Sequence, residues 1–582
     1  MSTSSAATNP SSVSRVQYLE GSPDDYRLTW PWAAAIALFG ATMLAINLGD
    51  VRVLTFHEVV FAQPAKEMLR DDHWIVPTIA GDPYNDRTPL VAWSIAGAMW
   101  LFGTDAEWAV RTPNVVFSIL AALVIAWMAA RWFGKRVGIL AGFIELTTLQ
   151  VLTNGRLAEA DMLLSLTVVA AMYAFAAGNL ESPRGVSRRK ILPYLFYAAI
   201  AASFMVKWLF GPAFICTGCF AYAVVARDRK TWKFLFHPGG IVLALALTLP
   251  WMVAAVRVDP EIVQDFWNNH FGRFRGSFGK HEPWFAYVYL VPFMLLPWAP
   301  YAFGALSSRV RGAAKGASRF EPIGTFFICW FTPGMLLLSL STFKAKHYTM
   351  PLLPPLTIAC AVGLHEYLKR RAVAPNHALP WLLGVTICGG IGGVIALALR
   401  RPADWQAIAA VAVVAMGGVS LAMVLEMRRK FDGVPAALFG TIWGAAVVVQ
   451  TWIMPSHDSY RNLAEFGRRV ATHVPPDETV HLLFLPESQV SFYIDRPLRL
   501  GHNREVWQTD YPAKLPLPET TEPVYIVAST AFLDRIEAAG QVRVLDQAER
   551  EARHVYNKDR VSLIEFRATP QTTAVPNDAE KR

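Results

Sequence analysis

Apolar runs of about twenty residues, the length that crosses a bilayer core, recur along most of the chain and predict membrane-spanning helices. They fall at residues 30–48, 113–130, 137–152, 162–178, 191–206, 210–226, 240–256, 287–306, 323–340, 348–367, 378–399, 408–425 and 435–454. This pattern yields about thirteen spans. Two long segments are too polar to cross. Residues 49–109 hold two amphipathic pieces, 56–69 and 89–102, suited to helices lying in the interface, and residues 257–285 are rich in Asn, His, Arg and Trp. After Met454 the hydropathy falls. Short β-type runs starting at Val480, Val490, Val524 and Val561 alternate there with helical patterns at 460–473 and 531–539, which predicts a small α/β domain. The expected division is a polar N-terminus (1–29), a transmembrane part (30–454), an α/β domain (455–568) and a disordered polar tail (569–582).

Composition agrees. Of 582 residues, 53% are apolar and only 17% charged, too apolar for an ordinary soluble protein. The net charge of +9 does not describe a nucleic-acid surface, because Lys and Arg gather in short clusters between the apolar runs. Counted from a cytoplasmic N-terminus, every second loop is basic, as at Arg131/Lys135/Arg136, Arg227/Arg229/Lys230 and Arg428/Arg429/Lys430. An odd number of spans then leaves the α/β domain outside, so His, Asp, Glu and aromatic residues collect at the extracytoplasmic face. No small-residue cleavage site follows the first run, which reads as a retained span. All of Cys216, Cys219, Cys329, Cys360 and Cys388 sit in apolar segments, so no disulfide framework is legible.

Chemistry-bearing residues cluster in the outer loops. His57 and Glu58 open the first amphipathic piece, and Tyr84, Asp86 and Arg87 follow in the same loop. A carboxylate or imidazole beside a membrane surface suits activation of a hydroxyl, a poor nucleophile until a base takes its proton; decoration of a solvated loop is the bland alternative. Arg156 and Asp161 flank the outer start of a span, where an ionisable group is costly and usually functional, although a carboxylate there also complements the helix dipole. Lys207 ends a span on the outer side, against the inside bias of basic residues, and either binds a lipid phosphate or snorkels to the interface. Arg273, Lys344 and Lys346, with His270 and Tyr348 nearby, add outward cations. Several cations converging on one place would stabilise the charge of a departing phosphate.

These motifs resemble the polyprenyl-phosphate-dependent GT-C glycosyltransferases, especially the group of lipid A aminoarabinose transferases and, more distantly, the protein O-mannosyltransferases. The family's first-loop acidic pair is matched by His57-Glu58, its aromatic-x-acid-basic-x-Pro element by Tyr84, Asp86, Arg87 and Pro89, and its second acid by Asp161. Its Lys-Gly-Pro turn resembles Lys207 with Gly211-Pro212, its His-x-x-Arg-Phe element His270, Arg273 and Phe274, and its Lys-x-x-Tyr element Lys344, Lys346 and Tyr348. The resemblance implies a polytopic α-helical GT-C fold with a C-terminal periplasmic α/β domain, in a bacterial inner membrane. It implies inverting transfer of a sugar from a polyprenyl phosphate, such as undecaprenyl phosphate, to a lipid acceptor such as lipid A or to a protein Ser/Thr. Tyr84, Arg87, Arg156, Lys207, Arg273, Lys344, Lys346 and Tyr348 would bind phosphate and sugar. His57 departs from the family's Asp, so the base is His57, Glu58 or Asp161. In some relatives a divalent metal sits on the acid and the histidine that would be Asp86 and His270 here. A transporter of lipid or solute is the reading from another class, which would favour paired repeats with broken helices; no repeat is legible.

Overall fold

The computed structural model describes residues 23–568 except 183, 185–186, 188, 276–281, 315–321, 343, 374–404, 457, 459–460, 484–488, 501–516, 519, 521 and 549–559; side chains at 270, 273–275, 308–314 and 371–373 also lie outside the description. Helix α1 (Trp30–Leu44) starts behind extended Thr29 with a proline in its first turn, where a missing amide costs nothing. Then α2 (Phe56–Asp71) begins with a capping box: the Thr55 hydroxyl accepts from the Glu58 amide, and Glu58 Oε2 accepts from the Thr55 amide at 2.9 Å. A two-stranded hairpin, β1 (Thr78–Ile79) with β2 (Asp82–Pro83), leads to α3 (Leu90–Phe102), which closes on Gly103 at φ 66°, a left-handed cap suited to glycine. The two pieces read as amphipathic from the sequence fold as α2 and α3, but α3 is apolar on every face, with Trp100, Leu101 and Phe102 exposed.

The membrane part continues with α4 (Glu107–Phe133), α5 (Lys135–Thr147), α6 (Leu149–Asn154), α7 (Ala160–Asn179), α8 (Leu192–Lys207), α9 (Phe210–Ala226), α10 (Arg229–Leu235), α11 (Pro238–Val258) and α12 (Ile262–Arg275). After these come α13 (Ala286–Met294), α14 (Ala299–Ala314), α15 (Pro322–Leu340), α16 (Pro354–Val373), α17 (Trp405–Met427) and α18 (Gly433–Val448). Among the described residues six helices are long and apolar enough to cross a membrane alone, and α13 with α14, bent by 110°, adds a seventh if read as one broken span. Several expected spans are therefore interrupted. The run at 137–152 breaks at Thr148, whose hydroxyl caps α6 by accepting from the Val151 amide. The run at 287–306 breaks around Pro297, and that at 348–367 begins as a 3-10 turn, Lys346–Leu352. The run at 378–399 lies outside the described residues.

Burial separates the inner from the outer helices. The apolar windows of α7 and α4 are 83% and 67% buried, whereas those of Arg229–Val258, α17 and α18 are 11–17% buried and present apolar side chains where lipid would lie. Large aromatic rings at Trp30, Trp100 and Trp284 are among the most exposed residues, as in interfacial belts.

Beyond the membrane part, α19 (Arg461–His473) buries Leu463, Ala464, Phe466 and Val470 against a five-stranded sheet. Its strands are β3 (Val480–Leu483), β4 (Leu498–Leu500), β5 (Val524–Ser529), β6 (Gly540–Gln547) and β7 (Val561–Ala568), in the order β4-β3-β5-β7-β6. The first three are mutually parallel, and β7 runs antiparallel to both β5 and β6. One expectation is corrected: the run from Val490 is helix α20 (Gln489–Tyr493), not a strand. Val490, Ser491, Phe492, Tyr493 and Ile494 are all buried, so there is no alternation between a core face and a solvent face for a strand to use. The helix sits against α2, where Lys66 Nζ donates to the Phe492 carbonyl at 3.1 Å.

Candidate active site

The site is assembled by buried polar groups on α4. Arg111 is fully buried; its guanidinium donates to Glu58 Oε1 at 2.7 Å and Oε2 at 3.2 Å and to the carbonyls of Leu48, Arg52 and Val53. One side chain thereby fixes both the start of α2 and the loop that follows α1. Glu58 Oε1 also accepts from the Ala158 amide at 3.2 Å. Three and seven residues along α4, Asn114 donates to the carbonyls of Leu157 and Glu159, and Ser118 to that of Gly155. Two loops distant in sequence are thus tied to one helix, and Asp161 in the first turn of α7 is held beside them.

Between these loops and the turn 344–348 lies a cavity of 1630 Å³. Its polar wall carries Arg52, His57, Tyr84, Asp86, Arg87, Arg156, Glu159, Asp161, Lys207, Lys344, Lys346, His347 and Tyr348, and Ala415, Val419, Leu438, Ile442 and Ala446 of α17 and α18 form an apolar wall. Lys207 Nζ donates to Asp161 Oδ1 at 2.9 Å and lies over the rings of Phe210 and Tyr348 at 5.1 and 4.8 Å. His347 Nε2 is 4.0 Å from the other Asp161 oxygen. Lys344 Nζ is taken up by the Ser341 and Glu282 carbonyls. Arg87 rests over Phe61 and donates to the Asp86 carbonyl.

Electrostatics differ along this wall. Burial pushes the Glu58 carboxyl up, but the charge and hydrogen bonds of Arg111 prevail and hold it at about 2. Glu159 goes the other way: burial first, then the nearby Asp161 and Glu58 carboxylates, push it up to about 8. Burial brings the His347 imidazole down to about 4, and Lys207 and His57 act in the same direction, against the pull of Asp161. At neutral pH these shifts favour a protonated Glu159 and an unprotonated His347 beside the Asp161–Lys207 pair.

Of the residues singled out from the sequence, the structure brings His57, Asp161, Tyr84, Asp86, Arg87, Arg156, Lys207, Lys344, Lys346 and Tyr348 onto one cavity. Glu58 does not line it, being enclosed by Arg111 and the loop amides. The side chains of His270 and Arg273 lie outside the described residues, on α12. That leaves Asp86 as the one described member of the expected metal pair. Among the described residues the group with metal-like geometry is Glu67, Asp71 and His73, and Glu67 there already accepts from Gln63, Thr78 and the Ala80 amide. The described residues thus offer no fitted metal site at Asp86. Arg52, Arg111, Glu159 and His347 line the cavity without having been among the expected site residues. Arg111 had a legible signal, a lone Arg just inside the outer end of a span, where it needs a partner; the others lay beside residues already chosen.

Residues 86–253 match the family described as dolichyl-phosphate-mannose-protein mannosyltransferase. The undecaprenyl phosphate-alpha-4-amino-4-deoxy-L-arabinose arabinosyl transferase of Edwardsiella ictaluri is 30% identical over 346 residues, 59% of this chain and 60% of that protein. That of Yersinia enterocolitica is 27% identical over 411 residues, 68% of this chain and 72% of that one. The match thus spans less than two thirds of the first relative. The crystal structure of ArnT from Cupriavidus metallidurans bound to undecaprenyl phosphate superposes with a TM-score of 0.73 at 19% identity, covering 91% of this chain and 97% of that one. The fold is that of the GT-C glycosyltransferases. The resemblance to the aminoarabinose transferase group, drawn first from His57-Glu58, Tyr84-x-Asp86-Arg87 and Asp161, is borne out over most of the chain. Among the described residues the breaks at Thr148 and Pro297 depart from the periodicity reading, and the apo ArnT structure matches equally well, with a TM-score of 0.72.

Proposed function

We propose that this chain transfers a sugar from a polyprenyl-phosphate donor to a phosphate or hydroxyl of a lipid acceptor of the lipid A kind, at the extracytoplasmic edge of the membrane. The observation that carries the reading is the cavity itself, where the Asp161–Lys207 pair and cations from separate loops share a space with an apolar helix wall. A phosphate would meet Lys207, Arg87 and Lys346, with Arg273 of α12 added by resemblance, and the polyprenyl chain would run along α17 and α18. The acceptor oxygen attacks the anomeric carbon while the bond from that carbon to the donor phosphate oxygen breaks. Polyprenyl phosphate leaves with the electron pair, stabilised by the cations. The acceptor proton passes to His57 or Asp161, which combine basic chemistry with access to the cavity; Glu58 has the chemistry but not the access.

The helix ends support this sidedness. On α4, α7, α8 and α9 the cavity lies at the end bearing Arg111, Asp161, Lys207 and Phe210, and the opposite ends lead to Arg131, Arg184, Arg189 and Arg227. The basic ends belong to the cytoplasmic side by the positive-inside rule.

The test is the full chain in nanodiscs with undecaprenyl-phosphate-linked aminoarabinose or mannose, offered lipid A and a Ser/Thr peptide, with products read by mass spectrometry. Glycosylated lipid is expected, and Asp161→Asn should lower the rate by about 10²–10⁴-fold. Sugar on the peptide alone would transfer the reading to a protein acceptor, the alternative to which the mannosyltransferase match points. Absence of both transfer and undecaprenyl phosphate binding would overturn it.

A further inference from the structure

The cations on the cavity wall fall into two groups. Around Asp161 lie Lys207, His347 and Arg87. Arg156 instead has Arg111, Arg52 and Glu58 as its charged neighbours, and Glu159 lies between the groups, feeling Asp161 and Lys207 from one side and Arg52 and Glu58 from the other. The second group is built, not incidental. Arg156 is 6% exposed, and its Nη2 donates to the Ile46 carbonyl at 2.5 Å. Arg111 grips the Leu48, Arg52 and Val53 carbonyls, so the segment after α1 is threaded between two guanidinium groups and turns the Arg52 side chain to the cavity.

Two donors at this place have no partner. Nε and Nη1 of Arg156 are buried and unpaired among the described residues, on a side chain that lines the cavity. Buried donors of this kind are costly to leave unmade, and a guanidinium remains charged and presents adjacent N–H groups in a fork that matches a phosphate. Arg111 cannot serve, since Glu58 and three carbonyls already occupy it.

We propose that Arg52 and Arg156 form a second anion subsite, which holds a phosphate monoester of the acceptor lipid while the donor phosphate sits at Lys207 and Arg87. This deepens the proposed transferase reading and rests on it for the identity of the other phosphate. Two cationic corners give two like-charged phosphates different partners in one cavity, with Glu159 on the wall between them. Acceptors carrying only hydroxyls would gain nothing from this corner.

The test uses the full chain in nanodiscs saturated with undecaprenyl phosphate, and measures binding of labelled lipid A before and after phosphatase treatment. The wild type should prefer the phosphorylated form. Arg52→Gln and Arg156→Gln should each weaken it by about tenfold, with undecaprenyl phosphate binding and the dephosphorylated form within about twofold of wild type. Arg52 is only half-buried, so its variant stays informative if Arg156→Gln misfolds. Weakened undecaprenyl phosphate binding with unchanged lipid A binding would assign the corner to the donor and overturn the proposal. Equal loss for both forms of lipid A would make the arginines structural and overturn it too. Failure of the wild type to bind undecaprenyl phosphate at all would strike the transferase reading instead, and the lipid A comparison would still decide the subsite.

Discussion

Lys207 at the end of α8 and Asp161 at the start of α7 meet with 2.9 Å between Nζ and Oδ1, their side chains 13% and 7% exposed. The two ends are brought together because α7 and α8 pack as an antiparallel pair, and Gly211 at the start of α9 allows the third helix in: a Cβ there would lie 2.6 Å from Ser203 Cβ and 2.8 Å from Leu164 Cδ1. The Gly-Pro of the motif therefore serves helix packing, and through it the position of the lysine. A buried ion pair of this kind is costly to break from one side, because the remaining charge is left unmatched in a low dielectric.

Lys207→Met should lower stability by about 3–5 kcal/mol, seen as a lowered unfolding midpoint in detergent. Lys207→Met combined with Asp161→Asn should recover part of that loss while remaining inactive. If the single and double variants unfold together, the pair is not coupled.

Glu58→Gln separates support from chemistry. The carboxyl is held at about 2 against an ordinary 4.5, so its stabilisation is complete above about 4.5 and is lost as pH falls toward 2. A depression of that size corresponds to about 3 kcal/mol. The gap in unfolding free energy between wild type and variant should be full at pH 7 and shrink through that acid window. A folded Glu58→Gln protein that keeps its midpoint but loses all transfer would instead make Glu58 a direct participant.

How much of this was legible depends on which physical pattern carried it. Hydropathy located most of the helices, α2 and α3 among them, because a bilayer demands length. Breaks at Thr148 and Pro297 were not legible from hydropathy, which averages over a window and ignores a single cap or bend. His57, Asp161 and Lys207 were found as ionisable groups at span ends. Glu58 was read as a candidate base because a sequence does not reveal that Arg111, fifty-three positions on, surrounds it. Strand β6 was missed since its edge position leaves Arg543 and Asp546 on a face the alternation rule expects to be regular.

Glu159 gives a pH signature on the alkaline side. Its carboxyl rises from an ordinary 4.5 to about 8 in the fold, so the folded state keeps a proton that the unfolded chain releases. That contribution is complete below about 4.5 and fades as pH climbs through 8. Glu159→Gln mimics the protonated form at every pH. Wild type should therefore lose stability relative to the variant between about pH 4.5 and 8 and run parallel above it; parallel curves throughout the range would contradict the assignment.

The α/β domain reaches the site in part through one tyrosine. Tyr493 of α20 accepts from the Leu54 amide at 2.9 Å and donates to Glu107 Oε1 at 3.0 Å, and the Arg468 guanidinium meets the same Glu107 oxygen at 3.0 Å. One hydroxyl thus links the α/β domain to the loop that carries Arg52 and to the first turn of α4, one turn before Arg111. Tyr493→Phe keeps the ring and its packing but leaves the buried Leu54 amide unpaired, a cost of about 1–3 kcal/mol. Loosening should be local: faster hydrogen exchange at residues 50–56 and earlier proteolysis between the membrane part and α19, with the helices of the bundle unchanged. Binding of phosphorylated lipid A should weaken with it, since the segment that aims Arg52 loses one of its ties to the α/β side and keeps those from Asp458 to the Val53 amide and from Arg461 to the Asp50 carbonyl. Unchanged exchange at Leu54 would mean that Arg111, with Asp458 and Arg461, fixes the loop without Tyr493.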